Sequence, residues 1–149
     1  MNSMTMPGKS KAQFIQTEIE KVFQKLVSPD IELKNFYETY LLEEYGTSSE
    51  DRISYYDIGR IADFIKEKYK LRQTQNFETI FNNIEDILQN CDQYVSELIV
   101  IGLFEDIQNI CSTEINYYTG FDKWLKPVSK KSWDELIDFW EGKEWRNKQ

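Results

Sequence analysis

The sequence contains no histidine, and that absence removes more chemistry than any motif in it supplies. Histidine is the usual general base, nucleophile partner and neutral zinc ligand. Ser-His-Asp and Cys-His nucleophilic sites, HExxH metal sites and histidine-pair nuclease sites are therefore excluded. Glycine and proline are also scarce, at six and three residues of 149. Few turn formers together with 15% aromatic residues point to a helical protein whose core is filled by rings, and away from a turn-rich β-sandwich. The two cysteines, Cys91 and Cys111, lack CxxC spacing and fall near opposite ends of one expected helix. Twenty residues of helix span about 30 Å, far beyond the roughly 7 Å that a disulfide tolerates between Cα atoms. They read as reduced thiols, consistent with a cytoplasmic protein. The first ten residues, MNSMTMPGKS, have no apolar stretch of the kind a signal peptide needs. The longest apolar run, Leu98 to Phe104, is only seven residues, against the about 20 of a membrane span. No DxDxDG loop, ExxH pair or phosphate-binding GxxxxGK is present, so no metal or cofactor is expected.

What is present is helical periodicity. The chain is organised around Tyr94–Ile110, where Val95, Leu98, Ile99, Leu103, Ile107 and Ile110 form one apolar stripe and Val100, Phe104 and Cys111 a second. Two stripes predict a helix packed on more than one side, with a narrow polar seam of Glu97, Glu105 and Gln108. Gly102, in its middle, costs about 1 kcal/mol against Ala in a helix and so implies close approach of a neighbouring helix. Before it, Ile15, Ile19, Val22, Phe23 and Leu26 mark a first helix, with a Ser10/Gln13 capping box. A second runs over 31–45 from Asp30 to Gly46, and a third from 53–57 to Leu71. A fourth, with Thr74 as its N-cap, carries Phe77, Ile80, Phe81, Ile84, Leu88 and Cys91. Asp92 can cap the central helix directly after it, making a tight antiparallel pair. After Thr113 the chain is irregular and aromatic, with Pro127 as a stop. Ser132 and Glu135 then make a capping box for a last helix bearing Trp133, Leu136, Ile137 and Trp140. The expected fold is all-α: a single compact domain of about six helices over 12–142, an irregular bundle or HEAT-like helix pairs around the central buried helix. Residues 1–11 read as a disordered tail and 143–149 as a frayed one.

Charge is distributed unevenly. The fifty residues from Gln73 to Asp122 contain no Lys or Arg and hold nine acids: Glu78, Glu85, Asp86, Asp92, Glu97, Glu105, Asp106, Glu114 and Asp122. The rest of the chain is almost neutral, so the net charge of −8 arises from the fourth helix, the central helix and the following loop. A negative field of this kind repels phosphate backbones, disfavouring direct nucleic-acid binding, and attracts basic partners. A purely solvated acidic face is the plain alternative. The company of Tyr94, Tyr117, Tyr118 and Trp124 favours recognition, because Tyr and Trp are frequent interface anchors. A second cluster, Glu43, Glu44, Glu50 and Asp51, is diluted by Lys34 and Arg52. A carboxylate enzyme stays open in principle, with Glu97 and Glu105 on one helical face and Glu85 and Asp86 on the helix before, but their spacing fits no metal or glycosidase signature.

At IGLFEDIQNI (Ile101–Ile110), Lys126-Pro127 and SWDELIDFW (Ser132–Trp140), the sequence resembles a family of small helical bacterial domains that includes immunity proteins of contact-dependent inhibition and polymorphic toxin systems. The resemblance covers about residues 35–140 and brings no catalytic residues with it. It implies a cytoplasmic inhibitor that binds one cognate toxin, a basic nuclease domain, and covers its active site with an acidic surface; the sequence leaves the oligomeric state open, with a monomer favoured. On that reading Glu78, Glu85, Asp86, Glu97, Glu105 and Glu114 recognise the partner, and Tyr94, Tyr117 and Tyr118 anchor it. The alternatives are a helical adaptor that binds another protein, with no toxin involved, and the carboxylate enzyme.

Overall fold

A computed structural model describes residues 11–48, 52–109 and 115–148. Asp30 has extended backbone and accepts from the Leu33 N–H at 3.0 Å, which separates α1 (Lys11–Val27) from α2 (Ile31–Tyr45). At its other end α2 stops at Gly46, whose N–H returns to the Leu42 carbonyl at 2.9 Å. Next come α3 (Ser54–Lys70) and α4 (Phe77–Asn90). Helix α4 begins at Phe77 and not after Thr74, because Thr74 belongs to a turn in which its carbonyl accepts from the Phe77 N–H at 3.1 Å. The Ser10 capping box lies outside the described residues.

The central helix, α5, occupies 93–109 and is capped as expected by Asp92, which accepts from the Val95 N–H at 3.0 Å. It is not α-helical throughout. Between the α-helical turns Gln93–Glu97 and Glu105–Asn109, residues Leu98–Phe104 are π-helical, and the Glu105 N–H reaches back five residues to the Val100 carbonyl. One extra residue per loop of backbone rotates the downstream side chains by about 100° relative to an unbroken α-helix. That rotation carries Gln108 out of the expected polar seam, whereas Ile101, four residues from both Glu97 and Glu105, falls on the seam by α-helical spacing alone. Gln108 is buried, donating to the Trp133 carbonyl at 3.1 Å, while Ile101 stands in the seam between Glu97 and Glu105, 46% exposed. Of the two apolar stripes, Val95, Leu98, Ile99, Leu103, Phe104 and Ile107 are in the core and Val100 is partly buried; Ile110 and Cys111 lie outside the described residues.

Helix α5 packs chiefly on α3, and glycine makes this possible. A Cβ on Gly102 would lie 2.7 Å from Ile58 Cγ2, and one on Gly59 would lie 2.8 Å from Asp106 Oδ2. At the same interface the buried Lys66 places Nζ 3.3 Å from the Asp63 carboxylate and 3.4 Å from the Asp106 carbonyl. Where α1, α2 and α3 meet, the buried Asp57 carboxylate accepts from the Tyr40 and Tyr45 hydroxyls at 2.7 and 2.8 Å. Arg52 Nε completes this set at 3.3 Å, and its Nη2 donates to the Tyr37 hydroxyl at 2.6 Å.

The last helix, α6 (Pro127–Glu141), starts five residues before the Ser132 capping box. Proline, expected to stop a helix here, occupies the first turn of one, where its missing N–H and fixed φ do no harm. The preceding aromatic loop is pinned to the core: Phe121 stacks on Tyr69 at 4.6 Å between ring centroids, and Trp124 meets Phe77 edge-on at 4.9 Å. Trp124 is thus a core residue and not an interface anchor. Residues Lys143–Lys148, expected to fray, form a 3-10 turn, because Trp145 is buried against Tyr118 at 5.3 Å and donates its indole N–H to Asp138 at 2.7 Å. Among the described residues there is no strand. The six helices make an all-α domain in which α4 lies between α1 and α6, and α5 between α3 and α6.

The Gly102 contact leads to a direct test. An alanine there gains about 1 kcal/mol of helix propensity, but overpacking against the fully buried Ile58 costs about 1–3 kcal/mol. Gly102→Ala should lower the urea midpoint, and Gly102→Val should lower it further; a stabilised Gly102→Ala would show that the α3–α5 contact is loose.

Candidate functional site

The nine residues that the sequence nominates for recognition do not share one surface. Glu85 lies inside the fold, 7% exposed: its carboxylate accepts from the Ser129 N–H (2.8 Å), the Val128 N–H (3.0 Å), the Ser129 hydroxyl (2.7 Å) and Gln89 Nε2 (3.0 Å). It therefore caps the N-terminus of α6 from the neighbouring helix α4, where an anion is favoured by the orphan N–H groups and the helix dipole. This correction has a plain physical cause. A helix whose first residues include proline and no side-chain cap of its own needs an acceptor from elsewhere.

Glu78 and Asp86 are at the surface but already neutralised, by Lys126 at 2.6 Å and by Lys25. Both cations lie outside the Lys- and Arg-free stretch, so the fold dilutes the acidic face that the sequence suggests. Tyr117 and Tyr118 are half-buried, and each hydroxyl donates to one oxygen of Glu141. Burial, and next the bond to Glu141, pushes the Tyr117 phenol well up; for Tyr118 the bond to Glu141 is the leading cause. These rings tie the aromatic loop to the end of α6. Glu114 lies outside the described residues.

Tyr94, Glu97 and Glu105 remain, all on α5; Glu105 lines an apolar surface that the sequence pattern does not single out, Glu97 stands one helical turn before its Ile101, and Tyr94 lies nearer the start of the helix. Phe139 and Trp140, at the end of α6, are 77% and 56% exposed and meet edge-on at 5.1 Å. With Val100, Ile101, Glu105, Ser132, Glu135 and Leu136 they line an open groove of about 420 Å³ between α5 and α6. Burial, followed by the charge of Asp106, raises the Glu105 carboxyl above the ordinary range. None of Glu97, Glu105 and Glu135 makes an ion pair among the described residues, although Glu97 accepts from Gln93 at 3.1 Å. The strip continues over α5 to α3, where Tyr55 packs beside Gly102 and stands within electrostatic reach of Tyr94 and Glu97.

A signal for this surface is present in the sequence. Phe139 follows Ser132 by seven residues and Glu135 by four, which places an aromatic ring on the polar side of α6. Trp140 reads as core because it continues the Trp133–Leu136 stripe, but it lies at the helix end, half exposed. Among the described residues no group of three or more Cys, Asp or Glu side chains could hold a metal, and no helix is long and apolar enough to cross a membrane. Of the two cysteines, Cys91 is a half-buried free thiol, pushed up by burial and by Asp92; Cys111 lies outside the described residues.

The chain matches the family described as a domain of unknown function, DUF7674, over residues 15–141. No curated protein matches the chain, and no solved structure does.

The Glu85 cap predicts how stability responds to acid. Burial alone would raise this carboxyl, but the Ser129 and Val128 N–H groups and the Ser129 hydroxyl outweigh it, and its folded pKa lies below the ordinary 4.5. A depressed carboxyl contributes stability that is present above the unfolded value and lost as pH falls through the folded one. The melting temperature of the wild type should therefore drop below pH 4.5 more steeply than that of Glu85→Gln. At pH 7, Glu85→Ala should cost about 1–3 kcal/mol, since it leaves buried donors unpaired. Parallel melting curves from pH 7 to pH 3 would refute the cap as an ionised group.

Proposed function

Because the chain belongs to the DUF7674 family of domains of unknown function, we propose its role from the surface itself: it is a protein-binding module that works by stoichiometric association, not by catalysis. The carrying observation is the exposed pair Phe139 and Trp140 beside Ile101, bordered by the acids Glu105 and Glu135, with Glu97 one helical turn from Ile101. Large apolar side chains grouped at the surface and rimmed by polar ones are the usual composition of a docking site. Tryptophan is among the residues that most often dominate binding energy. Unpaired acids around apolar anchors favour a partner with basic side chains, whose approach they steer.

The specific form we favour is an immunity protein: the partner is a toxin domain with a basic active-site cleft, and this chain neutralises it by covering that cleft. Two features support it. The fifty residues that form α4, α5 and the loop after them supply no cation of their own, and the groove is lined by side chains suited to contact more than to chemistry, Glu105, Glu135 and Ser132 being its polar members. Recognition rests on Glu97, Glu105 and Tyr94 from the acidic face, with Glu78 and Asp86 held in internal ion pairs and Glu85 in the cap.

Co-expression with the product of the adjacent gene, scoring growth and co-purification, tests both levels. Rescue of growth with a stable complex is expected. Phe139→Asp with Trp140→Asp should weaken that complex at least tenfold, with the melting temperature unchanged. Glu97→Lys with Glu105→Lys should slow association and flatten its salt dependence. A complex indifferent to all four substitutions would sink the proposed face. A harmless neighbour, with binding to another protein lost in Phe139→Asp, would leave the adaptor form of the reading.

A further inference from the structure

We infer that the groove between α5 and α6 receives a cationic amphipathic α-helix of the partner, two to three turns long, with apolar residues seated on Ile101, Leu136, Phe139 and Trp140 and Lys or Arg over Glu97, Glu105 and Glu135. This rests on the protein-binding reading above and names the element that is bound.

Shape is the first ground. The groove is walled by two helices, with Val100, Ile101 and Glu105 on one side and Ser132, Glu135, Leu136, Phe139 and Trp140 on the other. Side-chain ridges of a third helix fit a trough of this kind. From Ser132 to Trp140 the wall rises about 12 Å, or a little over two helical turns. The described residues contain no strand, so a partner cannot add itself to a sheet edge there. A helix satisfies its own backbone and needs only side-chain contacts, which is all that this groove supplies.

Charge is the second ground, and it decides between occupants. Glu105 and Glu135 line the groove and Glu97 stands one helical turn from Ile101; all three are free of ion pairs among the described residues, and no Lys or Arg lines the groove, the nearest along α6 being Lys131, one turn before Glu135. A second copy of this chain, pairing through the same face across a two-fold axis, would gather the Glu105 and Glu135 carboxylates of both copies into one contact. With nothing in the groove to offset that repulsion, the complement is a basic segment. The apolar floor also requires that the basic residues be spaced around an apolar stripe, as on a helix, and not follow one another in a run.

The test uses the full chain and two labelled 14-residue peptides of Leu, Ala and Lys or of Leu, Ala and Glu, with Leu spaced to form one helical face. Fluorescence anisotropy and circular dichroism should show the Lys peptide binding and gaining helicity. Its affinity should fall at least tenfold in Ile101→Asp, in Phe139→Asp and on raising salt from 50 to 500 mM, and should be unchanged in Lys21→Ala, which lies on α1 and does not line the groove. The Glu peptide should bind at least thirtyfold more weakly. Equal binding of the two peptides, equal affinity for the groove variants, or binding without helicity would each overturn the inference. So would a wild-type chain that sediments as a dimer and dissociates in Phe139→Asp. If the peptide fails while a protein partner still needs Phe139, the inference falls and the protein-binding reading stands; if neither needs Phe139, both fall.

Discussion

The first turn of α6 presents backbone N–H groups that nothing within α6 satisfies, and the Glu85 carboxylate, reaching across from α4, satisfies two of them together with the Ser129 hydroxyl. A buried anion held by several donors is stable only where all of them converge, so this contact fixes both the starting residue of α6 and its placement against α4. Everything at the far end of α6 inherits that placement. Trp133 meets Phe104 edge-on at 5.2 Å, Gln108 bonds to the Trp133 carbonyl, and Phe139 and Trp140 come to rest beside the π-helical part of α5.

The other wall of the groove is positioned by steric constraint. Gly102 and Gly59 let α5 and α3 approach so closely that a methyl group on either would collide with the opposite helix. The π segment lies over this contact, and Ile101, next to Gly102, is turned outward where its neighbours Leu98, Ile99 and Leu103 are turned in. The same seven residues therefore serve core and surface. The glycine that weakens the helix locally is what allows an apolar residue to stand at the surface on a rigid, well-packed element.

Local chemistry makes much of the fold legible. Asp30, Gly46 and Asp92 act where their side chains or conformational freedom say they should, and the stripe from Val95 to Ile107 is buried as its spacing implies. The illegible part is non-local. No local pattern tells that Glu85 caps a helix 44 residues away, so Ser132 reads as the cap where Pro127 and Glu85 share that role. An extra residue in a helical turn leaves no mark in composition, so Gln108 reads as exposed. Trp145 follows Gly142 in a charged, polar tail, and its place is made by the Tyr118 ring and the Asp138 carboxylate, which the fold brings to it. The candidate site is legible in part. Glu105 lines the groove and Glu97 stands one turn from its Ile101, whereas charge counting along the chain cannot see that Lys25 and Lys126 fold back onto Asp86 and Glu78.

The stretch without Lys or Arg has a chemical corollary. None of the eight residues lining the groove carries an amine, and no lysine occurs between Lys70 and Lys123. Acylating reagents and lysine-modifying enzymes have nothing to attack among those eight residues, and trypsin leaves α4 and α5 together in one long fragment. In a complex formed there, an amine shielded at the groove floor belongs to the other protein, while Lys131, one turn before Glu135 on α6, reports on the rim of this chain. At the floor the footprint is therefore one-sided, and amine-directed reagents report there on the partner alone.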